Sequence, residues 1–183
     1  MNDPLFKIEQ FNIIHPKYNV GCIIDFETIG DFIDSEDLTL RHQNIKPFII
    51  GIYYLSNACM TQYYLKKGTL NKEQLSLALL NLSEPFYAFS AMFEKSLIQI
   101  ITGKTFDFRE LQKPFSVTKT YYEKKQYVCN SQCIPNYDDP YDGDGGLCTT
   151  DFEKGEVEKP LAHNRSCLLK ERDILYTRGY YEF

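Results

Sequence analysis

The run Val20-Gly21-Cys22-Ile23-Ile24 leads without a break into Asp25-Phe26-Glu27-Thr28. An apolar, β-branched run of this kind reads as a buried strand, and the two carboxylates mark the place where it ends. Side chains alternate along an extended strand, so Asp25 and Glu27 share one face while Phe26 points to the other and into the core. Carboxylates held this close repel each other unless a cation lies between them, and hard divalent ions prefer such oxygen ligands. The pattern predicts a magnesium or manganese site at a strand end.

A chain of 183 residues with 43% hydrophobic content can bury the core of one domain, and nothing in its composition asks for two. One globular unit over residues 1–183 is expected. The formal net charge of -5 argues against a broad cationic surface for nucleic acid, although a groove can be locally basic and metal ions can neutralise phosphates. No basic segment followed by an apolar one opens the sequence, and no window approaches the roughly 18 to 20 apolar residues that span a bilayer. These features predict a soluble, cytoplasmic protein with no membrane partner.

After a short lead that includes Leu5 to Ile14, three β-rich runs follow: Val20 to Asp25, Lys46 to Leu55 and Cys59 to Leu65. The last two read as a hairpin joined through Ser56-Asn57-Ala58, which opens the sheet with three antiparallel strands. Asn71 suits the N-cap of a helix with Leu75, Leu79 and Leu82 on one stripe. Phe86 to Phe89 then gives a fourth strand by a crossover, parallel to its neighbour. Ser90 can cap a helix that buries Phe93, Leu97, Ile100 and Ile101, carries Glu94 in its first turn and ends at Gly103. Thr105 to Leu111 supplies a fifth strand, whereas Lys113 to Tyr127 has no clear pattern. The segment at about 129–150, rich in Cys, Asp and Gly, reads as an irregular surface loop, and a last helix fits Leu161 to Tyr176.

The order of these elements and motifs resembles the ribonuclease-H-like 3′-to-5′ exonucleases of the DEDD class. It is most similar to a small bacterial and archaeal branch whose last motif reads His-Asn-Arg-x-Asp after a Gly-Asp or Gly-Glu and a proline. Gly155-Glu156, Pro160 and His163-Asn164-Arg165 match that pattern. The resemblance implies an α/β, ribonuclease-H-like fold, with a mixed five-stranded sheet and helices on both faces. It also implies hydrolysis of phosphodiesters at a single-stranded DNA or RNA end, with two Mg2+ or Mn2+ ions. By position, Asp25, Glu27 and Glu94 become metal ligands and catalytic residues, and His163 becomes a general base.

Three residues depart from that family. Ser90 replaces an amide, Glu94 is one methylene longer than the usual Asp, and Cys167 stands four positions after His163, where the family has a carboxylate. A thiolate favours zinc or softer metals, and Glu171, a further turn along the same helix face, is the carboxylate that could reach inward instead. The alternative reading is a catalytically inactive ribonuclease-H-like domain that binds nucleic acid or protein. Cys129, Cys133, Cys148 and Cys167 fall in the C-terminal third and admit three arrangements: a separate zinc or iron-sulfur site, disulfides, or independent thiols.

Overall fold

The computed structural model describes residues 3–79, 82–113 and 123–182. Six strands form one mixed sheet: β1 (Leu5–Gln10), β2 (Cys22–Ile29), β3 (Lys46–Tyr54), β4 (Cys59–Tyr64), β5 (Phe86–Ala88) and β6 (Phe108–Glu110), in the order β1-β4-β3-β2-β5-β6. The first four strands pair antiparallel, while β5 joins β2, and β6 joins β5, in parallel. The helices are α1 (Leu38–Arg41), α2 (Lys72–Ala78), α3 (Ala91–Thr102), α4 (Lys125–Ser131), α5 (Gly146–Glu153) and α6 (Glu158–Arg178).

The expected five-stranded sheet is thus corrected to six, because the N-terminal lead is itself a strand. Most of β1 is exposed and its apolar residues are interrupted by Lys7 and Glu9, so it lacks the continuous apolar run that marks a buried strand. It lies at an edge, hydrogen-bonded among the described strands only to β4, and Glu9 takes both arms of the Arg165 guanidinium, at 2.5 and 2.6 Å. That bidentate pair ties the added strand to α6.

The alternation of β2 decides what lies on each side of the sheet. Cys22, Ile24 and Phe26 pack with Ile50, Ile52, Phe86 and Ala88 against Leu75 of α2 and Leu97 and Ile98 of α3. Ile23 faces the opposite way with Tyr53 and Tyr87, toward Val128 of α4 and Leu168, Leu169 and Leu175 of α6. Helices therefore cover both faces, and β2 and β3 are buried on both sides along most of their length.

Local signals place several boundaries well. Asn71 and Gln74 form a reciprocal capping box at α2. Gly103 ends α3 at φ 71°, a left-handed conformation that suits glycine. Ser90 occupies the N-cap position of α3 without a side-chain capping bond. The segment expected to be an irregular loop at about 129–150 is helical at both ends, in α4 and α5, with turns between 132 and 145. No helix among the described residues is long and apolar enough to cross a membrane.

Candidate functional site

A row of three residues crosses the sheet beneath α6. Asp25 on β2 lies opposite Gly51 on β3, and Gly51 lies opposite Gln62 on β4. Asn164 of α6 stands over the glycine and bridges its neighbours. Its Nδ2 donates to the Asp25 carboxylate at 2.8 Å, and its Oδ1 accepts from Gln62 Nε2 at 2.8 Å. A Cβ on Gly51 would lie 2.2 Å from Asn164 Oδ1, so only glycine admits the helix this close. Gln62 Nε2 also donates to the Leu161 carbonyl, and Asn164 Nδ2 to the Asp25 carbonyl. Burial of these amides is thereby compensated by hydrogen bonds.

Asp25 and Glu27 emerge from this floor into a cleft of about 560 Å³, also lined by Phe89, Lys125, His163 and Cys167. The β2–β3 register shifts between Glu27 and Thr28, a bulge of the kind that re-aims side chains beside sites. Glu94, in the first turn of α3, is 6% exposed, and its Oε2 has no hydrogen-bond partner among the described residues. Burial first, then the charges of Asp25 and Glu171, push its carboxyl well above the ordinary range. Glu27 shifts the same way through burial and Asp25, partly opposed by His163, Cys148 and Lys125.

Glu171 does turn inward. Its Oε2 accepts from the Phe89 backbone N–H at 3.1 Å, and its Oε1 lies 2.5 Å from Lys125 Nζ, which also reaches Asp25 Oδ1 at 3.4 Å. Burial would lower the Lys125 ammonium, but Cys167, Glu171 and Asp25 outweigh it and hold the group charged. An ammonium therefore stands between two of the carboxylates. Asp25 acts on both Glu27 and Glu94, yet among the described residues the oxygens of these three carboxylates do not close to the spacing of a single ligand group.

His163 is buried. Its Nδ1–H donates to Asp139 Oδ1 at 2.7 Å, and Asp139 Oδ2 accepts from Lys170 Nζ at 2.8 Å. Burial alone would lower the imidazole, but the Asp139 bond and the Glu27 charge prevail and raise it. Burial likewise acts to raise Asp139, and the bonds from His163 and Lys170 overcome it and hold its carboxyl far below the usual range. The His163 Nε2 points to Cys167 Sγ, 3.6 Å away.

All six cysteines are free thiols, so the disulfide reading does not hold. The four C-terminal cysteines do not converge either. Cys133 is exposed and Cys129 packs in the apolar core beside α6, since each follows its own helix or turn. Cys148 instead meets Glu27, to whose carboxylate its thiol donates a hydrogen bond. Among the described residues, the group whose ligand atoms lie closest together is Glu27, Cys148 and His163, all within 4.8 Å of one another.

Lys125, Asn164, Asp139, Lys170 and Gln62 had no assigned role in the sequence reading. A signal for part of this set was present. Positions 163, 164, 167, 170 and 171 of α6 are polar or thiol residues at spacings of three and four, which puts them on one face of a helix. Comparison of the sequence with family models and curated proteins, and of the fold with solved structures, gives no match.

Proposed function

We propose that the cleft is the hydrolytic centre of a metal-dependent, 3′-to-5′ exonuclease-like phosphodiesterase on a ribonuclease-H-like sheet. The observation that carries this reading is the unpartnered, buried Oε2 of Glu94 beside Asp25 and Glu171. A buried carboxylate oxygen without a donor is costly, and a divalent cation is the partner that several such oxygens can share. The strand order β4-β3-β2-β5-β6, three antiparallel strands followed by two parallel ones, supports the fold that the sequence resembles.

Asp25, Glu27, Glu94 and Glu171 are the residues that would hold Mg2+ or Mn2+. Ions bound there would activate a water and stabilise the leaving oxygen of a phosphodiester. Asn164 fixes the rotamer of Asp25. Lys124, Lys125 and Gln126 line the mouth of the cleft and offer donors to a phosphate, and Phe89 offers a ring face to an unstacked base. A single-stranded DNA or RNA end is the substrate this arrangement suits. Six free thiols support a reducing compartment such as the cytoplasm.

The test is hydrolysis of end-labelled DNA and RNA strands with Mn2+. Wild type should degrade one of them, and Asp25→Asn and Glu94→Gln should each lose at least about a hundredfold in rate, about 2.7 kcal/mol of transition-state stabilisation. One observation favours a second reading, a non-catalytic binding domain: the Lys125 ammonium already pairs with both Asp25 and Glu171. Lys125→Met separates the two. In the hydrolytic reading the variant binds Mn2+ severalfold more tightly, because an internal competitor is gone. In the binding reading, neither protein responds to Mn2+ and neither cleaves.

A further inference from the structure

We infer that Glu27, Cys148, His163 and Cys167 form a zinc site, which shares the Glu27 carboxylate with the hard-metal site of Asp25, Glu94 and Glu171. Three elements supply it: Glu27 from the bulged end of β2, Cys148 from α5, and His163 with Cys167 from one face of α6.

The geometry supports each ligand. One ligand atom from each of Glu27, Cys148 and His163 lies within 4.8 Å of the other two, and Cys167 Sγ lies 3.6 Å from His163 Nε2. Zinc bonds of about 2.0 Å to nitrogen or oxygen and 2.3 Å to sulfur, at tetrahedral angles, put ligand atoms about 3.3 to 3.8 Å apart. Bringing the Glu27, Cys148 and His163 atoms to that spacing requires shifts of about an ångström, and Cys167, which touches His163 but stands outside that group of three, completes the set by turning its side chain toward it. His163 and Cys167 are four residues apart on α6, the spacing that brings two side chains to one point on a helix.

The surroundings are built to hold the imidazole as a ligand. His163 Nδ1–H is committed to Asp139, which leaves the Nε2 lone pair as the outward donor. Asp139 is itself anchored by Lys170 Nζ and by the backbone N–H groups of Tyr141 and Gly143. A carboxylate that fixes the tautomer and orientation of a ligating histidine is the usual support of a zinc site. The opposite wall is equally fixed. Thr149 Oγ1 donates to the Thr28 carbonyl at 3.0 Å, and Phe152 stacks on Phe48 with ring centroids 3.9 Å apart, so α5 carries Cys148 against β2.

The donor set chooses the metal. Two sulfurs, one imidazole nitrogen and one carboxylate oxygen suit Zn2+, whereas Mg2+ and Mn2+ favour oxygen alone. Binding converts Cys148 and Cys167 to thiolates, and each thiol proton passes to the buffer, so affinity falls as pH is lowered. This assignment gives His163 to the metal and takes it out of the proton-acceptor role that the resemblance implies. It also makes Cys167 a ligand of a softer ion rather than a defect in the hard-metal set.

Cobalt(II) titration of the reduced, metal-free protein is the test. Wild type should take up one Co2+ that shows thiolate-to-cobalt charge-transfer absorption and the intense visible bands of a tetrahedral ion, and Zn2+ should displace it. Cys148→Ser and Cys167→Ser should each weaken the charge-transfer band by about half and lower affinity at least about tenfold. Cys133→Ser, at an exposed thiol, should change neither. Wild-type cobalt protein without a charge-transfer band overturns the site whatever the variants do, as does a band that survives both serine substitutions in folded protein. Manganese-dependent cleavage is read separately. A thiolate-cobalt spectrum in a protein that cleaves nothing keeps the zinc site and refutes the hydrolytic reading, and cleavage without that spectrum does the reverse.

Discussion

Gly51→Ala is the substitution that probes most directly how the fold makes the site. The added Cβ would stand 2.2 Å from Asn164 Oδ1 and 2.6 Å from Leu168 Cδ1, both on α6 and both fully buried. Overpacking of this kind costs about 1–3 kcal/mol. Replacing a strand glycine returns about 0.5–1 kcal/mol, because the unfolded chain loses freedom. Moving Asn164 aside weakens its bond to Gln62 or to the Asp25 carboxylate, which costs about a further 1–2 kcal/mol. The net expectation is a loss of about 2 kcal/mol, read as a lower urea midpoint at unchanged slope. Asn164→Ala opens the space that the new methyl needs. The double variant should therefore lose about 1 kcal/mol less than the sum of the two single ones. A neutral Gly51→Ala, or strict additivity in the cycle, would refute the claim that this glycine exists to admit Asn164.

Two further outcomes are expected. Lys170→Met leaves Asp139 buried with its ammonium partner gone, and should cost about 3–5 kcal/mol by chemical denaturation. Adding Asp139→Asn should return part of that loss, and a larger combined loss would contradict the pairing. Glu110 gives a pH dependence with a definite sign: burial, opposed by backbone N–H groups of Gln112, Ala91 and Met92, pushes its carboxyl from the ordinary 4.5 up to about 7. The folded state then holds this proton longer than the unfolded chain does, so its contribution to stability is complete below about pH 4.5 and is lost as pH rises toward 7. With allowance for solvent screening, the loss is no more than about 2 kcal/mol. Glu110→Gln should flatten that part of the stability profile, and an unchanged slope between pH 4.5 and 7 would count against the shift.

Much of the sheet was legible from local pattern. The apolar run before Asp25, the hairpin around Ser56-Asn57-Ala58, the cap at Asn71 and the glycine stop at Gly103 are signals carried by neighbouring residues, and each appears in the fold, although β2 does not end at Asp25 but continues to Ile29, because its pairing with β3 outlasts the apolar run. β1 was missed because an exposed edge strand buries little and so leaves no strong pattern. The helix α4 lies at the end of a stretch whose pattern was unreadable, and Lys125 went unassigned with it.

At the site, strand alternation alone put Asp25 and Glu27 on one face, and helix periodicity alone put His163, Cys167 and Glu171 on another. Both follow from backbone geometry that any sequence obeys. Which of these groups meet was decided by the docking of α6 over Gly51, of α5 against Thr28, and by the bulge after Glu27. The two helix contacts join residues more than a hundred positions apart, so no local spacing encodes them. They turn Glu171 toward Lys125, leave an oxygen of Glu94 unpartnered, and bring Cys148 and Cys167 to His163. The residue pattern set the kinds of ligand available, and packing set how they are grouped.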